Sequence, residues 1–166
     1  VTRELYAGYV LAELGQYVRQ PELFKNLGTV VELEAPGELT PGNIYFNGVW
    51  VVGPESTRHG RKTREYEDVL SLVYSARSLN AVLSSESEQP YTVRVTLNGK
   101  FLTKENKGQD ITIAGNGESF LTVNAPRMYN VVDAPAYAID NSLSMSSNSD
   151  DFGIFAFTFG IYRTGP

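Results

Sequence analysis

The sequence predicts an all-β domain, an antiparallel sandwich of about nine strands behind an irregular N-terminal lead-in. Three observations point there. Asn47-Gly48, Asn98-Gly99 and Asn116-Gly117 are Asn-Gly pairs flanked by strand-like residues, and such pairs favour type I′ hairpins because both central residues need positive φ. The run Tyr91-Thr92-Val93-Arg94-Val95-Thr96-Leu97 alternates with β-branched and aromatic residues, which puts Val93, Val95 and Leu97 on one face of a half-buried strand. Strand-like runs recur at spacings of roughly 8 to 12 residues, the pattern of a sandwich.

Taken in order, residues 1–28 form the lead-in, pinned to the sandwich by Tyr6, Tyr9, Tyr17 and Phe24. Helix signals there are short: residues 12–18 suit a turn or two, and Pro21-Glu22-Leu23-Phe24 can open a helix with proline at its first position. Strands are expected near 29–33, 44–52, 68–76, 80–84, 91–97, 109–113, 120–124, 128–133, 142–146 and 154–161. Phe155, Phe157 and Phe159 alternate along the last of these and, with Phe152, read as core. The polar stretch 140–151 is rich in Ser, Asn and Asp but short, so it reads as solvent-facing strand and loop rather than as a linker. No internal repeat is visible. With 166 residues the chain reads as a single domain over 1–166. Its start at Val1 and its end at Gly165-Pro166 read as those of a piece excised from a longer protein, with any targeting signal outside it.

Composition excludes several function classes. Lys plus Arg total 14 against 19 Asp plus Glu, a formal net charge of -5, so the broad basic footprint that phosphate backbones require is missing and nucleic acid is not an expected partner. With no Cys and one His, thiol nucleophiles, disulfides, iron–sulfur clusters and metal sites built on thiolates or paired imidazoles are ruled out for this chain alone. Hydrophobic residues make up 42%, enough for a core, yet no stretch of 18 apolar residues occurs to span a membrane.

Candidate chemistry is sparse. His59 lies in Arg58-His59-Gly60-Arg61-Lys62-Thr63-Arg64, where surrounding cations disfavour the imidazolium that a general base must form; the reading is a solvated basic loop, not a catalytic triad. Nineteen acids allow, without naming, a carboxylate pair for glycoside hydrolysis, and the chain is not expected to be an enzyme. Asp150 and Asp151, with Asn148, offer oxygen ligands for a structural calcium ion but lack the alternating spacing of a dedicated calcium loop, so no cofactor is expected. Gly115-Asn116-Gly117 lies between strands, not before a helix, and reads as a hairpin rather than a phosphate cradle. No Asn-x-Ser/Thr sequon occurs. Tyrosine is the remaining resource: Arg127 with Tyr129, and Glu4, Tyr6 and Tyr9 in the lead-in, pair rings with polar groups that can stack on a sugar face and bond its hydroxyls. The same residues could instead form a buried Arg-Tyr-Glu network tying the lead-in to the sheet.

Five motifs in order then resemble one family: Thr2-Arg3-Glu4-Leu5-Tyr6-Ala7-Gly8-Tyr9, Trp50-Val51-Val52-Gly53-Pro54-Glu55, Val93-Arg94-Val95-Thr96-Leu97-Asn98-Gly99, Pro126-Arg127-Met128-Tyr129-Asn130-Val131-Val132 and Ala156-Phe157-Thr158-Phe159-Gly160. Together they are similar to the C-terminal, carbohydrate-binding-module-like domain of DipZ-type and related bacterial thioredoxin family proteins. The resemblance implies a jelly-roll sandwich standing outside the cytoplasmic membrane beside a thioredoxin-like domain that carries the catalytic Cys-x-x-Cys. It implies a non-catalytic, carbohydrate-binding-like accessory module; the alternative is a protein-interaction domain that presents the thioredoxin-like domain to its substrate, with no sugar ligand. The sequence departs from the family pattern at Asn98-Gly99, in the basic loop 57–64 and in the Ser-rich stretch 137–151, and loops are where recognition varies on sandwiches.

Overall fold

The computed structural model describes residues 1–10, 20, 22 and 25–162. The turn expected at 12–18, most of the short helix at 21–24 and the rings of Tyr17 and Phe24 lie outside those residues. Eleven strands are described: β1 (Leu5–Tyr6), β2 (Val31–Leu33), β3 (Ile44–Val52), β4 (Thr57–His59), β5 (Val69–Ser84), β6 (Tyr91–Leu97), β7 (Lys100–Phe101), β8 (Ile111–Ile113), β9 (Ser119–Val123), β10 (Arg127–Ser146) and β11 (Gly153–Gly160). Their pairings are antiparallel. The expected all-β class holds, and the lead-in contributes a strand of its own, with Leu5 opposite Phe157 and Tyr6 opposite Ala156.

Hydrogen bonds link the strands in the order β1-β11-β4-β3-β5-β10-β6-β9-β8, with β2 added to β3, β7 added to β6 and a second pairing between β11 and β5. Two long strands organise this path. The segments expected as separate strands at 68–76 and 80–84 are one strand, β5, and those at 128–133 and 142–146 are one strand, β10. β5 exchanges neighbours at mid-length: its first half pairs with β3 through Leu72↔Ile44 and Leu70↔Phe46, its second with β11 through Ala81↔Phe157 and Leu79↔Phe159. The exchange is written in side-chain parity. Leu70, Leu72 and Tyr74 are buried at even positions, Leu79, Ala81 and Leu83 at odd ones, and the slip falls at Ala76-Arg77, where two successive residues are buried. A one-residue slip turns the other face inward, so a single strand can supply apolar residues to both halves of one continuous core. Opposite the slip, β10 leaves the ladder between Asp133 and Ala138 in an exposed arch.

The three Asn-Gly pairs behave differently. Asn98 and Gly99, with φ of 54° and 77°, make the expected type I′ turn between β6 and β7. At Asn116-Gly117 only Gly117 has positive φ, 88°, and the loop closes through Gly117 N to Ala114 O at 2.9 Å and Ala114 N to Glu118 O at 2.8 Å, a three-residue β8–β9 hairpin with a left-handed glycine. Asn47-Gly48 is not a hairpin. It lies inside β3, with Gly48 opposite Leu33, and the glycine serves close approach as well as its φ of 104°: a Cβ there would sit 2.0 Å from Asp68 Oδ1.

That carboxylate anchors a buried staple. Arg61 donates from Nε to Asp68 Oδ2 and from Nη2 to Oδ1, both at 2.8 Å, and His59 Nε2 meets Oδ2 at 2.6 Å. Burial pushes the Asp68 carboxyl up, but the bonds from Arg61 and His59 outweigh it and hold the group below the usual carboxylate range. The solvated-loop reading of His59 is therefore corrected: its side chain is 0% exposed, with its ring centroid 5.2 Å from that of Trp50. Alternation explains the error, since Thr57-Arg58-His59 is a strand, β4, whose outer residues point in while Arg58 points out.

Candidate ligand-binding face

The residues singled out for sugar contact form two separate groups. Tyr129 is 0% exposed, its ring covered by the Arg127 guanidinium at 3.8 Å from the centroid and its hydroxyl donating to Ala125 O at 2.7 Å. A ring with no open face cannot stack on a sugar, which corrects the expectation for Tyr129. Arg127 is exposed but forked onto Asp110, with Nη2 to Oδ1 at 3.1 Å. Burial raises the Asp110 carboxyl, and hydrogen bonds from Arg127 and the Asn130 amide outweigh that to leave it below the usual range. The network expected between Arg, Tyr and Glu is, among the described residues, an Arg127–Tyr129–Asp110 lock. Tyr6 is half-buried in β1, Tyr9 packs on the core and Glu4 is exposed just before β1. The register Leu5↔Phe157, Phe157↔Ala81, Ala81↔Tyr129 leaves three strand spacings, ~14 Å, between the two groups. Asp150 and Asp151 are half-buried, and among the described residues no group of three or more His, Cys, Asp or Glu is placed to hold a metal ion.

A different surface gathers rings, hydroxyls and charge. The alternation that buries Val93, Val95 and Leu97 turns Thr92, Arg94 and Thr96 outward on β6, and register sets their neighbours: Thr92 faces Thr122 and Arg94 faces Phe120 on β9, while Thr96 faces Phe101 on β7 and Ser144 on β10. Ser144 in turn faces Ser71 on β5, their hydroxyl oxygens 3.3 Å apart. Arg94 is the centre of this face. Its guanidinium lies 4.3 Å from the Tyr66 ring centroid and 6.0 Å from that of Phe101, with Nη1 3.3 Å from Glu118 Oε1. Tyr66 and Phe120 are 6.2 Å apart, tilted at 47°. All these side chains except the two threonines Thr92 and Thr122 are half-buried; those two are exposed.

Tyr66 reaches this face in a costly conformation. Its φ is 54°, uncommon for a bulky residue and persistent only where neighbours hold it. Asn148 supplies that hold, its Oδ1 accepting from Tyr66 N at 2.8 Å and from Thr63 Oγ1 at 2.9 Å while its Nδ2 donates to Arg64 O at 3.2 Å. The next residue, Ser149, accepts through its carbonyl from His59 Nδ1 at 2.8 Å. Both ring nitrogens of His59 are engaged, Nε2 by the Asp68 carboxylate and Nδ1 by the Ser149 carbonyl. The buried staple thus positions the 147–149 loop, and that loop positions Tyr66. Beyond the Arg94–Phe120 row the face deepens into a cavity of about 430 Å³ lined by Lys62, Pro90, Tyr91, Thr92, Thr122, Ser147, Asn148 and Ser149.

A family model described as thioredoxin-like C-terminal domain matches residues 2–160. The chain belongs to that family. A thioredoxin-like C-terminal domain without cysteine leaves thiol–disulfide chemistry to another part of such a protein, and the family's description suggests an adjacent thioredoxin domain as its neighbour. No curated protein matches the chain. In this thioredoxin-like C-terminal domain the motif Val93-Arg94-Val95-Thr96-Leu97 was legible as a strand, and its outward Arg94 could have been read from the same alternation. Tyr66, Phe101 and Phe120 could not, because only register and a positive-φ turn bring them to Arg94.

Proposed function

We propose that the chain is a non-catalytic, carbohydrate-binding-like accessory module of an extracytoplasmic bacterial thioredoxin family protein, with a jelly-roll-type arrangement of its strands. The observation that carries this reading is the outward face around Arg94. Rings of Tyr66, Phe101 and Phe120 offer apolar surface to the C–H face of a sugar, while Arg94, Glu118, Thr96, Ser71 and Ser144 offer donors and acceptors for its hydroxyls. A shallow site of this kind gives weak, sugar-selective binding. The test is a glycan array on the folded chain, run with calcium and with chelator. Wild type should give reproducible hits that Tyr66→Ala and Arg94→Ala each weaken at least about tenfold, the loss of one stacked ring or charge-assisted contact; a blank array on folded protein overturns the reading, and chelator-sensitive hits would direct mutation to Asp150 and Asp151.

One feature favours the alternative of a protein-positioning domain. The β10 arch exposes Tyr137 and Ile139, at 44% and 69%, and Tyr162 lies 61% exposed nearby, where Arg77 donates to the carbonyls of both Ala134 and Tyr162. Exposed apolar clusters mark contact sites. Under this reading Ile139→Lys abolishes association with a thioredoxin-like domain and leaves any glycan hits untouched.

A further inference from the structure

Among the described residues, one charged side chain lines the cavity beyond the Arg94 row. Of its described lining residues Lys62 alone carries a formal charge, and burial, against a smaller lowering by the Gly153 backbone, raises the Tyr91 hydroxyl well above its ordinary value. Among the described residues no carboxylate lines it, and Asp151, two residues past the last lining residue, Ser149, acts on the Tyr91 hydroxyl from beyond the wall. In a chain of net charge -5, Lys62 gives this hydroxyl-lined cavity the one charged side chain among its described lining residues, a cation able to meet an anionic ligand. Thr92 and Thr122 are exposed and directly opposite each other, so their hydroxyls are open to a ligand, whereas Asn148 Oδ1 is taken by Tyr66 N and Thr63 Oγ1 and one Nδ2 hydrogen by Arg64 O. Along β6 the cavity threonine, Arg94 and Thr96 succeed one another on one face at intervals of ~7 Å. Arg94 is already paired with Glu118 at 3.3 Å, whereas Lys62 has no acidic partner among the described residues.

We propose that this cavity receives the carboxylate of a sugar acid, so that the ligand is an oligosaccharide with a hexuronate-type unit seated against Lys62, Thr92 and Thr122 and its next unit stacked over the Tyr66–Phe120 rings. The assignment rests on the sugar-binding reading above and names the ligand class for the same face. Lys62 sits on an exposed loop, so its replacement spares the fold.

The experiment is calorimetric titration of the chain with a panel of hexuronate oligosaccharides and with neutral hexose oligosaccharides of matched linkage, at low and at physiological ionic strength. Wild type is expected to bind an acidic member about tenfold more tightly than its neutral counterpart, the order of one charge-assisted contact, with the gap narrowing as salt rises. Lys62→Ala should bring the acidic ligand down to the neutral one's affinity, and Lys62→Arg should retain the preference. Equal binding of acidic and neutral members by wild type overturns the sugar-acid assignment and leaves the sugar-binding reading standing. An acid preference unchanged by Lys62→Ala overturns the cavity as its source. Absence of binding to every member by folded protein overturns both.

Discussion

Asp68 is the residue whose environment makes the sharpest demands. It is 1% exposed, meets three nitrogens of His59 and Arg61 and occupies the space that a side chain at residue 48 would need. Gly48→Ala adds a Cβ against that carboxylate at positive φ and should cost roughly 2 to 4 kcal/mol in urea unfolding. Gly117→Ala meets nothing within 4 Å and should cost only about 1 to 2 kcal/mol, the φ term alone; equal losses would refute the steric role given to Asp68. A carboxyl held low in the folded state contributes stability that is present above its unfolded value, ~3.9, and is lost as pH falls through the folded one. Stability should therefore fall below about pH 4, and Asp68→Asn should flatten that acid limb, read from thermal midpoints across pH. Tyr129 and Tyr66 make the complementary pair. Tyr129→Phe removes the hydroxyl that donates to Ala125 O and accepts from the Asn124 and Ala125 amides, costs about 1 kcal/mol and leaves glycan binding unchanged, whereas Tyr66→Ala weakens binding more than it unfolds the protein.

At the scale of elements, β5 is the axis. It has a strand on each side over 69–72 and again over 78–83, taking β3 and then β11 on one edge while β10 runs along the other. Amides of β5 should therefore exchange only by global unfolding, and those of the arch at 134–140 by local opening, as measured by hydrogen exchange. Fast exchange confined to one half of β5 would mean two separately folding units. The hairpins were legible to different degrees. Asn98-Gly99 carries its turn in two residues, so local chemistry suffices. Asn47-Gly48 has the same dipeptide and a different fate, because Asp68, twenty residues on in sequence, decides what its glycine is for.

At the scale of the molecule, one core joins Trp50, Phe152 and Phe46 at the β3–β4–β11 side to Leu121, Val93 and Ile111 at the β6–β9–β8 side. A shared core predicts one cooperative transition. Leu79→Ala should lower stability by about 2 to 5 kcal/mol and shift the midpoint equally by Trp50 fluorescence and far-ultraviolet circular dichroism; diverging midpoints would split the core.

Sequence alone determined the class, since period-two alternation and turn dipeptides are local properties, and it determined the functions closed to the chain, since a protein without cysteine has no thiol chemistry to offer. It also carried a resemblance to a thioredoxin-like C-terminal domain, the family whose model matches residues 2–160. Only the tertiary structure decided that Tyr129 is core, that His59 is buried and that Tyr66, Arg94, Phe101 and Phe120 share a face. Each of those outcomes depends on which strands lie side by side and in what register, and that is fixed by long-range pairing that no local stretch of residues encodes.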